Sequence, residues 1–165
     1  MSRNTQVKFI DRHNDAWLLL PDSEIAGPAP HRLLTLTQWE AVRDAWCADV
    51  PVGVLLPNTA DVEDLKGDLP RIALIALKFP KWVDGRAYSQ AHVLRARLRY
   101  AGQIRATGEV VVDMMPLLER SGFDAVVLRE GERQSSAERA LGFFPAGHYQ
   151  GDVLQPKPHF AREAA

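Results

Sequence analysis

The sequence predicts an α/β fold with flanking helices and a small sheet that is parallel or mostly parallel, either open or curled into a half-barrel. The prediction rests on short apolar runs that alternate with segments of helical character along the chain. Such alternation is typical of parallel strands that crossover helices bury. The predicted core strands are Val52–Leu56, Ile72–Leu77, Gln103–Ala106 and Ala125–Leu128.

Length and composition fit a single domain over residues 1–165. Domains commonly hold about 100–150 residues, and the chain has 165. The hydrophobic fraction is 46% and the charged fraction 25%, near the globular average, which argues against a disordered chain. We expect strands and a loop in residues 1–30, an α/β core in 31–142, and an extended tail in 143–165.

The two ends of the predicted domain have simpler patterns. Val7–Ile10 and Ala16–Leu20 are predicted to form an N-terminal hairpin, because the residues between them favour a turn. The C-terminal tail combines glycine and proline breaks with aromatic anchors such as Tyr149 and Phe160. Such a tail could dock on the domain or on another subunit, so the formation of a homo-oligomer through the tail is one expectation.

Charge and hydropathy argue against several classes of function. The net charge of −1 provides no global field that would attract nucleic acid or an anionic membrane. No segment reaches the ~18 consecutive apolar residues of a membrane span, and Met1–Ile10 lacks the apolar run of a signal peptide. We therefore predict a cytoplasmic protein that binds neither membrane nor nucleic acid.

Metal and cofactor signals are weak. Cys47 is the single cysteine, which excludes an intrachain disulfide, and its place in a predicted helix over 42–48 favours a buried thiol. No glycine-rich dinucleotide fingerprint and no phosphate-loop motif occurs, so no cofactor is predicted, although a flavin could bind without either. Asp11–Asp15 holds three candidate metal ligands, but without a second histidine cluster a solvated turn is the better interpretation.

Residues 81–105 carry the clearest charge asymmetry of the chain. Six basic residues stand against one acidic residue there, a local charge of +5 in a protein of net charge −1. The segment follows a predicted strand, and ligands of parallel α/β sheets bind outside the carboxyl ends of the strands. A helix is predicted over Ala87–Tyr100, with Ser89 as a candidate N-cap near backbone N–H groups that could bind an anion.

Side chains of this segment and of the next strand could form an anion site. The predicted ligand-binding residues are Arg86, Ser89, Arg95 and Arg105. Arg86 and Arg105, near adjacent strand ends, would offer forked donors to phosphate, sulfate or carboxylate. The candidate proton-transfer groups beside them are Asp84, Glu109 and Asp113. The alternative is that Arg105 pairs with one of these carboxylates and only fixes the loop.

The same part of the chain contains a set of spaced short motifs. They are Phe79-Pro80, Asp84-Gly85-Arg86, Tyr88–Ala91, Leu94-Arg95, Gly102, Ile104–Ala106, Gly108, Asp113 and Gly122–Asp124, with Tyr149–Asp152 in the tail. Together they resemble the bacterial family catalogued as domain of unknown function 934. One departure is Ser121, where many members have a cysteine, and it argues against a thiol mechanism in this chain.

The resemblance implies a link to assimilatory sulfite reduction, because the family is usually encoded beside sulfite reductase and is sometimes labelled a probable oxidoreductase. Together with the basic segment, this suggests an accessory protein of sulfite reduction that binds a small anion or sulfite reductase itself. One alternative is a small enzyme on an anionic substrate, such as a lyase, an isomerase or a flavin-dependent oxidoreductase. Another is an oligomerising structural module. No catalytic residues are settled for the family, so none is carried over.

Overall fold

The computed structural model describes residues 7–24, 27–144 and 153 of the chain. In this part of the chain, seven short strands form one sheet in which every neighbouring pair is parallel. The strands are β1 Lys8–Phe9, β2 Leu18–Leu19, β3 Arg32–Thr35, β4 Val52–Leu56, β5 Ile72–Phe79, β6 Gln103–Gly108 and β7 Ala125–Val126.

The described residues also contain four short α-helices. They are α1 Leu36–Val42, α2 Arg86–His92, α3 Met115–Ser121 and α4 Gln134–Leu141. A π-helical turn, Val93–Arg97, continues α2, and short 3₁₀ turns occupy Val62–Leu65, Leu69–Arg71 and Val112–Met114. No helix in this part of the chain combines the length and the apolar character needed to cross a membrane.

The sheet is wound in one direction and curls into a half-barrel. Its strand order is β1-β7-β6-β5-β4-β3-β2, so each strand from β3 to β7 lies beside the one that precedes it in the chain. Right-handed crossovers that always advance in the same direction place their helices on the same face of the sheet. The predicted parallel α/β architecture is thus confirmed, and its curled form is the half-barrel alternative.

The prediction of an N-terminal hairpin was wrong. Both short strands exist, but β1 pairs with β7 at one edge of the sheet and β2 pairs with β3 at the other edge. The turn between them is also present, since the N–H of Asn14 donates to the carbonyl of Asp11 at 3.1 Å. A turn between two strand-like runs favours a hairpin only when no longer-range partner competes, and here β7 and β3 are those partners.

Several boundaries also differ from the sequence prediction. Strand β3 was missed, because its apolar core is only two leucines long. Helix α1 ends at Val42, so Cys47 lies outside it and is exposed, contrary to the predicted buried thiol. Of the predicted tail, only Phe143, Phe144 and Val153 are among the described residues, so its role in an oligomer stays a prediction.

The main hydrophobic core lies between the convex face of the sheet and the helices. It joins convex-face strand residues such as Leu77 and Ile104 to helix residues such as Ala91 and Leu118. Ala87 and Ala91 of α2 and Leu94 of the π-helical turn are fully buried in this core. Helix packing therefore leaves the concave face of the half-barrel to some other element.

Arg95 fixes the junction between α2 and the start of β6. Its Nε donates to the carbonyl of Gly122 at 3.0 Å, and its Nη1 donates to the carbonyls of Tyr100 and Gly102 at 2.6 and 2.8 Å. Its Nη2 donates to the carboxylate of Asp124, which also accepts the N–H of Ile104 at 2.8 Å. Only 10% of the Arg95 side chain is exposed, so the residue serves the framework.

We expect Arg95→Ala to lower the free energy of unfolding by about 3–5 kcal/mol, because it leaves the partly buried Asp124 carboxylate without its cation and three carbonyls without this donor. The matched control is Arg97→Ala, two residues away. Arg97 pairs with Glu63 at 2.7 Å, but 66% of its side chain is exposed, and such surface pairs contribute about 0–1 kcal/mol. Urea denaturation of both variants measures the difference. Equal losses in the two variants would refute the framework role of Arg95.

Candidate functional site

The concave face of the sheet carries alternate residues of each strand. On β5 these are Leu74, Ala76 and Lys78, and a separate small cluster of Leu74, Ala76 and Leu33 buries its apolar part. On β6 the corresponding residues include Arg105 and Thr107, because successive side chains of a strand point to opposite faces. Charged side chains are thus built into a surface that the helices do not cover.

Among the described residues, the element that crosses this concave face is the chain between β1 and β2, residues 10–17, here termed the connector. Six strand spacings of about 4.8 Å separate the two edges, an arc of roughly 29 Å. The nine residue-to-residue steps from Phe9 to Leu18 reach at most about 32 Å when fully extended, and the connector spends part of that length on the turn at Asp11–Asn14. The connector therefore spans the chord of a curled sheet.

The connector is anchored to the sheet by an ion pair between Asp15 and Arg105. Nη1 of Arg105 donates to Oδ2 of Asp15 at 2.5 Å, and Nη2 donates to Oε1 of Gln103 at 3.1 Å. Only 4% of the Arg105 side chain is exposed, against 19% for Asp15. The buried Nε of Arg105 has no hydrogen-bond acceptor in the described part of the chain. One donor of a nearly fully buried guanidinium therefore remains unused.

The register of the sheet leaves space around Arg105. Ala76 on β5 and Ala125 on β7 lie directly beside it in the same cross-strand row. Two residues further along each strand, Lys78 lies opposite Thr107 on the same face. Small side chains flanking a large cation, with a second cation toward the strand ends, form a hollow with positive charge in its wall.

This hollow is a cavity of about 560 Å³ at the carboxyl-terminal half of the sheet. Its lining residues are Arg12, His13, Asp15, Trp17, Leu18, Leu19, Leu33, Leu55, Ala76, Lys78, Arg105, Thr107, Gly108 and Val127. Three of them are basic and one is acidic, so the formal charge of the lining is +2 with histidine neutral. In parallel α/β proteins, ligands bind at this end of the strands.

The structure separates the predicted anion-binding residues. Arg105 lines the cavity, whereas Arg86, Ser89 and Arg95 do not. Arg86 lies at the start of α2, where its Nη2 donates to Oδ2 of Asp84 at 2.7 Å, and this hydrogen bond holds the pKa of Asp84 well below its ordinary value. The predicted fork of Arg86 and Arg105 therefore does not form within the cavity.

Ser89 is not the N-cap that the sequence suggested. Helix α2 begins at Arg86, after Gly85, so Ser89 lies inside the helix and its backbone is already helical. The carboxylate of Asp84 accepts the backbone N–H of Arg86 at 3.3 Å and so helps to place the N-cap at Gly85, four residues before Ser89. The exposed Ser89 side chain remains on the outer surface of α2.

The predicted proton-transfer candidates are likewise dispersed. Glu109 pairs with Arg129 at 3.3 Å at the strand ends, next to the cavity, while Asp113 is exposed in the 3₁₀ turn before α3. None of the three candidate carboxylates pairs with Arg105, whose partner is Asp15. The prediction that Arg105 pairs with Asp84, Glu109 or Asp113 was therefore wrong.

The local charge of +5 does not form a basic surface of that size. Of the six basic residues, Arg86, Arg95, Arg97 and Arg105 each have a carboxylate partner in space, and three of these partners lie outside residues 81–105. Sequence counting missed this because it treated the segment in isolation. Arg12, Asp15 and Lys78 were not assigned to this site from the sequence. Of these, Lys78 interrupts an apolar strand, and such an interruption is the one sequence signal that pointed to the cavity.

Fold and cavity together define a parallel half-barrel protein with a basic pocket at the carboxyl ends of its strands. The family described as a bacterial protein of unknown function, DUF934, matches residues 53–160, about two thirds of the chain. The chain belongs to this family, as the spaced motifs indicated. Neither the curated proteins nor the solved structures yielded a significant match.

Most of the family-like motif residues serve the framework. Gly102 and Asp124 meet Arg95, and Phe79 packs against Tyr88 and Phe123 with ring centroids 5.1 and 6.0 Å apart. Burial raises the pKa of Tyr88 to about 12, which fits a packing role for the phenol.

Arg105 and Gly108 are the motif residues that line the cavity. The motifs therefore identify the scaffold more than the site.

We expect Asp15→Asn and Arg105→Gln each to cost about 3–5 kcal/mol of unfolding free energy, because one leaves the buried Arg105 guanidinium and the other the partly buried Asp15 carboxylate without its partner. The double variant should cost less than the sum, with a coupling of about 1–3 kcal/mol. A double-mutant cycle by chemical denaturation measures this coupling. The control cycle uses Asp84→Asn and Arg86→Gln, a pair whose arginine side chain is 58% exposed, and it should couple far more weakly. Additive losses at Asp15 and Arg105 would show that the pair does not anchor the connector.

Proposed function

We propose that this protein is an accessory protein of assimilatory sulfite reduction that binds a small anion in the concave cavity. The observation that carries the proposal is Arg105, a guanidinium buried at the cavity wall with its Nε donor unused. A buried donor without an acceptor is costly, and an oxyanion is the acceptor that a guanidinium fits best.

The surroundings of Arg105 support an anionic ligand. Lys78 is exposed on the same face, and Arg12 also lines the cavity, where its Nη2 donates to the carbonyl of Leu128 at 2.7 Å. Both can reorient donors toward a ligand without breaking a buried ion pair. Thr107, opposite Lys78, adds a hydroxyl that can donate or accept.

The pathway part of the proposal comes from the family. The resemblance that links family members to sulfite reductase suggests that the anion belongs to sulfur metabolism and that sulfite reductase is a partner.

We expect the protein to associate with sulfite reductase from the same bacterium. Size-exclusion chromatography of the mixed proteins, with and without sulfite, tests this expectation, with serum albumin in place of sulfite reductase as the control. Separate elution under both conditions would remove sulfite reductase as a direct partner.

A small enzyme is the second candidate function, and one observation favours it. His13 and Asp15 line the same cavity as the cations, and both are residue types that transfer protons. A lyase, an isomerase or a flavin-dependent oxidoreductase acting on an anion would need a cation to hold the substrate beside such a group. The position at the carboxyl ends of parallel strands is also where enzymes of this architecture place their sites.

We expect Lys78→Gln to weaken anion binding roughly tenfold, because it removes one charge from the cavity wall while the exposed position preserves the fold. The comparison variant is Arg86→Gln, which removes a cation outside the cavity and should bind as the wild type does. Isothermal titration calorimetry with sulfite and with phosphate, at two ionic strengths, measures both.

The same pair of variants distinguishes the two candidate positions of the site. Loss of binding in Arg86→Gln with normal binding in Lys78→Gln would move the site to the loop before α2, where sequence reasoning first put it. If wild-type protein binds neither anion at low ionic strength, the proposed anion site is wrong.

A further inference from the structure

The cavity has an apolar wall opposite its basic wall. Trp17 and Leu19 from the connector and β2, with Leu33 and Leu55 from β3 and β4, line one side. Leu19 is half exposed, and Trp17 and Leu55 are half-buried. An inorganic oxyanion would contact the basic wall alone and leave this apolar surface in water.

Trp17 is held in place by contacts on several sides. An added Cβ at Gly53 would lie 3.0 Å from Cε3 of Trp17, so the glycine allows the indole to approach the sheet. The indole also makes an edge-to-face contact with His31, with ring centroids 5.3 Å apart. Its orientation is therefore fixed before any ligand binds, which lowers the entropic cost of using it as a contact surface.

One carboxylate fixes the spacing between the aromatic and the cationic wall. Oδ1 of Asp15 accepts the backbone N–H of Trp17 at 3.0 Å, while Oδ2 accepts Nη1 of Arg105 at 2.5 Å. Trp17 and Arg105 are thus bound to the two oxygens of the same side chain. A ligand that contacts both residues needs an anionic group joined closely to a ring or a similar apolar body.

We infer that the ligand of the cavity is an organic anion, with a phosphate, sulfonate or carboxylate head carried on an apolar body about the size of one or two fused rings. This inference rests on the proposed anion site and specifies the class of its ligand. A volume of about 560 Å³ falls within the range of about 300–1,000 Å³ that is usual for organic ligands. The head binds between Arg105 and Lys78, and the body packs against Trp17 and Leu19.

The test compares three probes on the full chain by isothermal titration calorimetry: 1-naphthyl phosphate, inorganic phosphate and 1-naphthol. We expect 1-naphthyl phosphate to bind at least about tenfold more tightly than either of the others, because only it contacts both walls. The Leu19→Asn variant should lose most of this advantage and keep its affinity for inorganic phosphate. Leu117→Asn, at an exposed leucine of α3 outside the cavity, is the matched control and should behave as the wild type.

The outcomes distinguish two claims, that the cavity binds an anion and that this anion carries an apolar body. Equal affinities for 1-naphthyl phosphate and inorganic phosphate would overturn the organic-anion inference and leave the anion site intact. Equal affinities for 1-naphthyl phosphate and 1-naphthol would overturn both, because the basic wall would then contribute nothing. Binding of none of the probes would also overturn both. The wild-type comparison stands by itself if Leu19→Asn fails to fold.

Discussion

The winding of the sheet in one direction is the constraint on which the rest of this structure depends. Because β2 to β7 advance stepwise across the sheet, right-handed crossovers put all their helices on the convex face. The concave face then has to be covered by a segment that is not a crossover helix. The connector between β1 and β2 lies there, since β1 pairs with β7 and the chain must return across the half-barrel to reach β2.

The connector is fixed to the concave face by an ion pair with a buried arginine as well as by the packing of Trp17. A buried ion pair contributes little net stability compared with apolar side chains of the same volume. Leucine and valine side chains fill the convex face. Apolar side chains of this kind could equally have filled the concave face. Instead, Arg105 lies between Ala76 and Ala125, an arrangement that leaves a cavity and keeps a charge beside it. Such an arrangement supports the proposed binding of a ligand at Arg105.

Much of the fold could be predicted from the sequence, and less of the site. The runs at 52–56 and 72–77 indicate strands because a parallel strand buried on both faces is apolar without alternation. The pairing of β1 with β7 was beyond reach, because it joins Lys8 to Ala125 across more than a hundred residues with no local signal. The ion pair of Asp15 with Arg105 has the same difficulty, and the neighbouring carboxylates at 84, 109 and 113 were nearer but wrong candidates.

The cavity is lined by residues from inside and from outside the region that matches the family. The matched region, residues 53–160, supplies the framework around Arg95 and Asp124 together with the basic wall of the cavity at Lys78 and Arg105. The connector lies before it and supplies Asp15 and Trp17, which set the distance between charge and ring. A relative that keeps the framework but has a different connector would hold the same anionic head against a different apolar body. Under the proposed function, the connector would therefore determine ligand specificity on this scaffold.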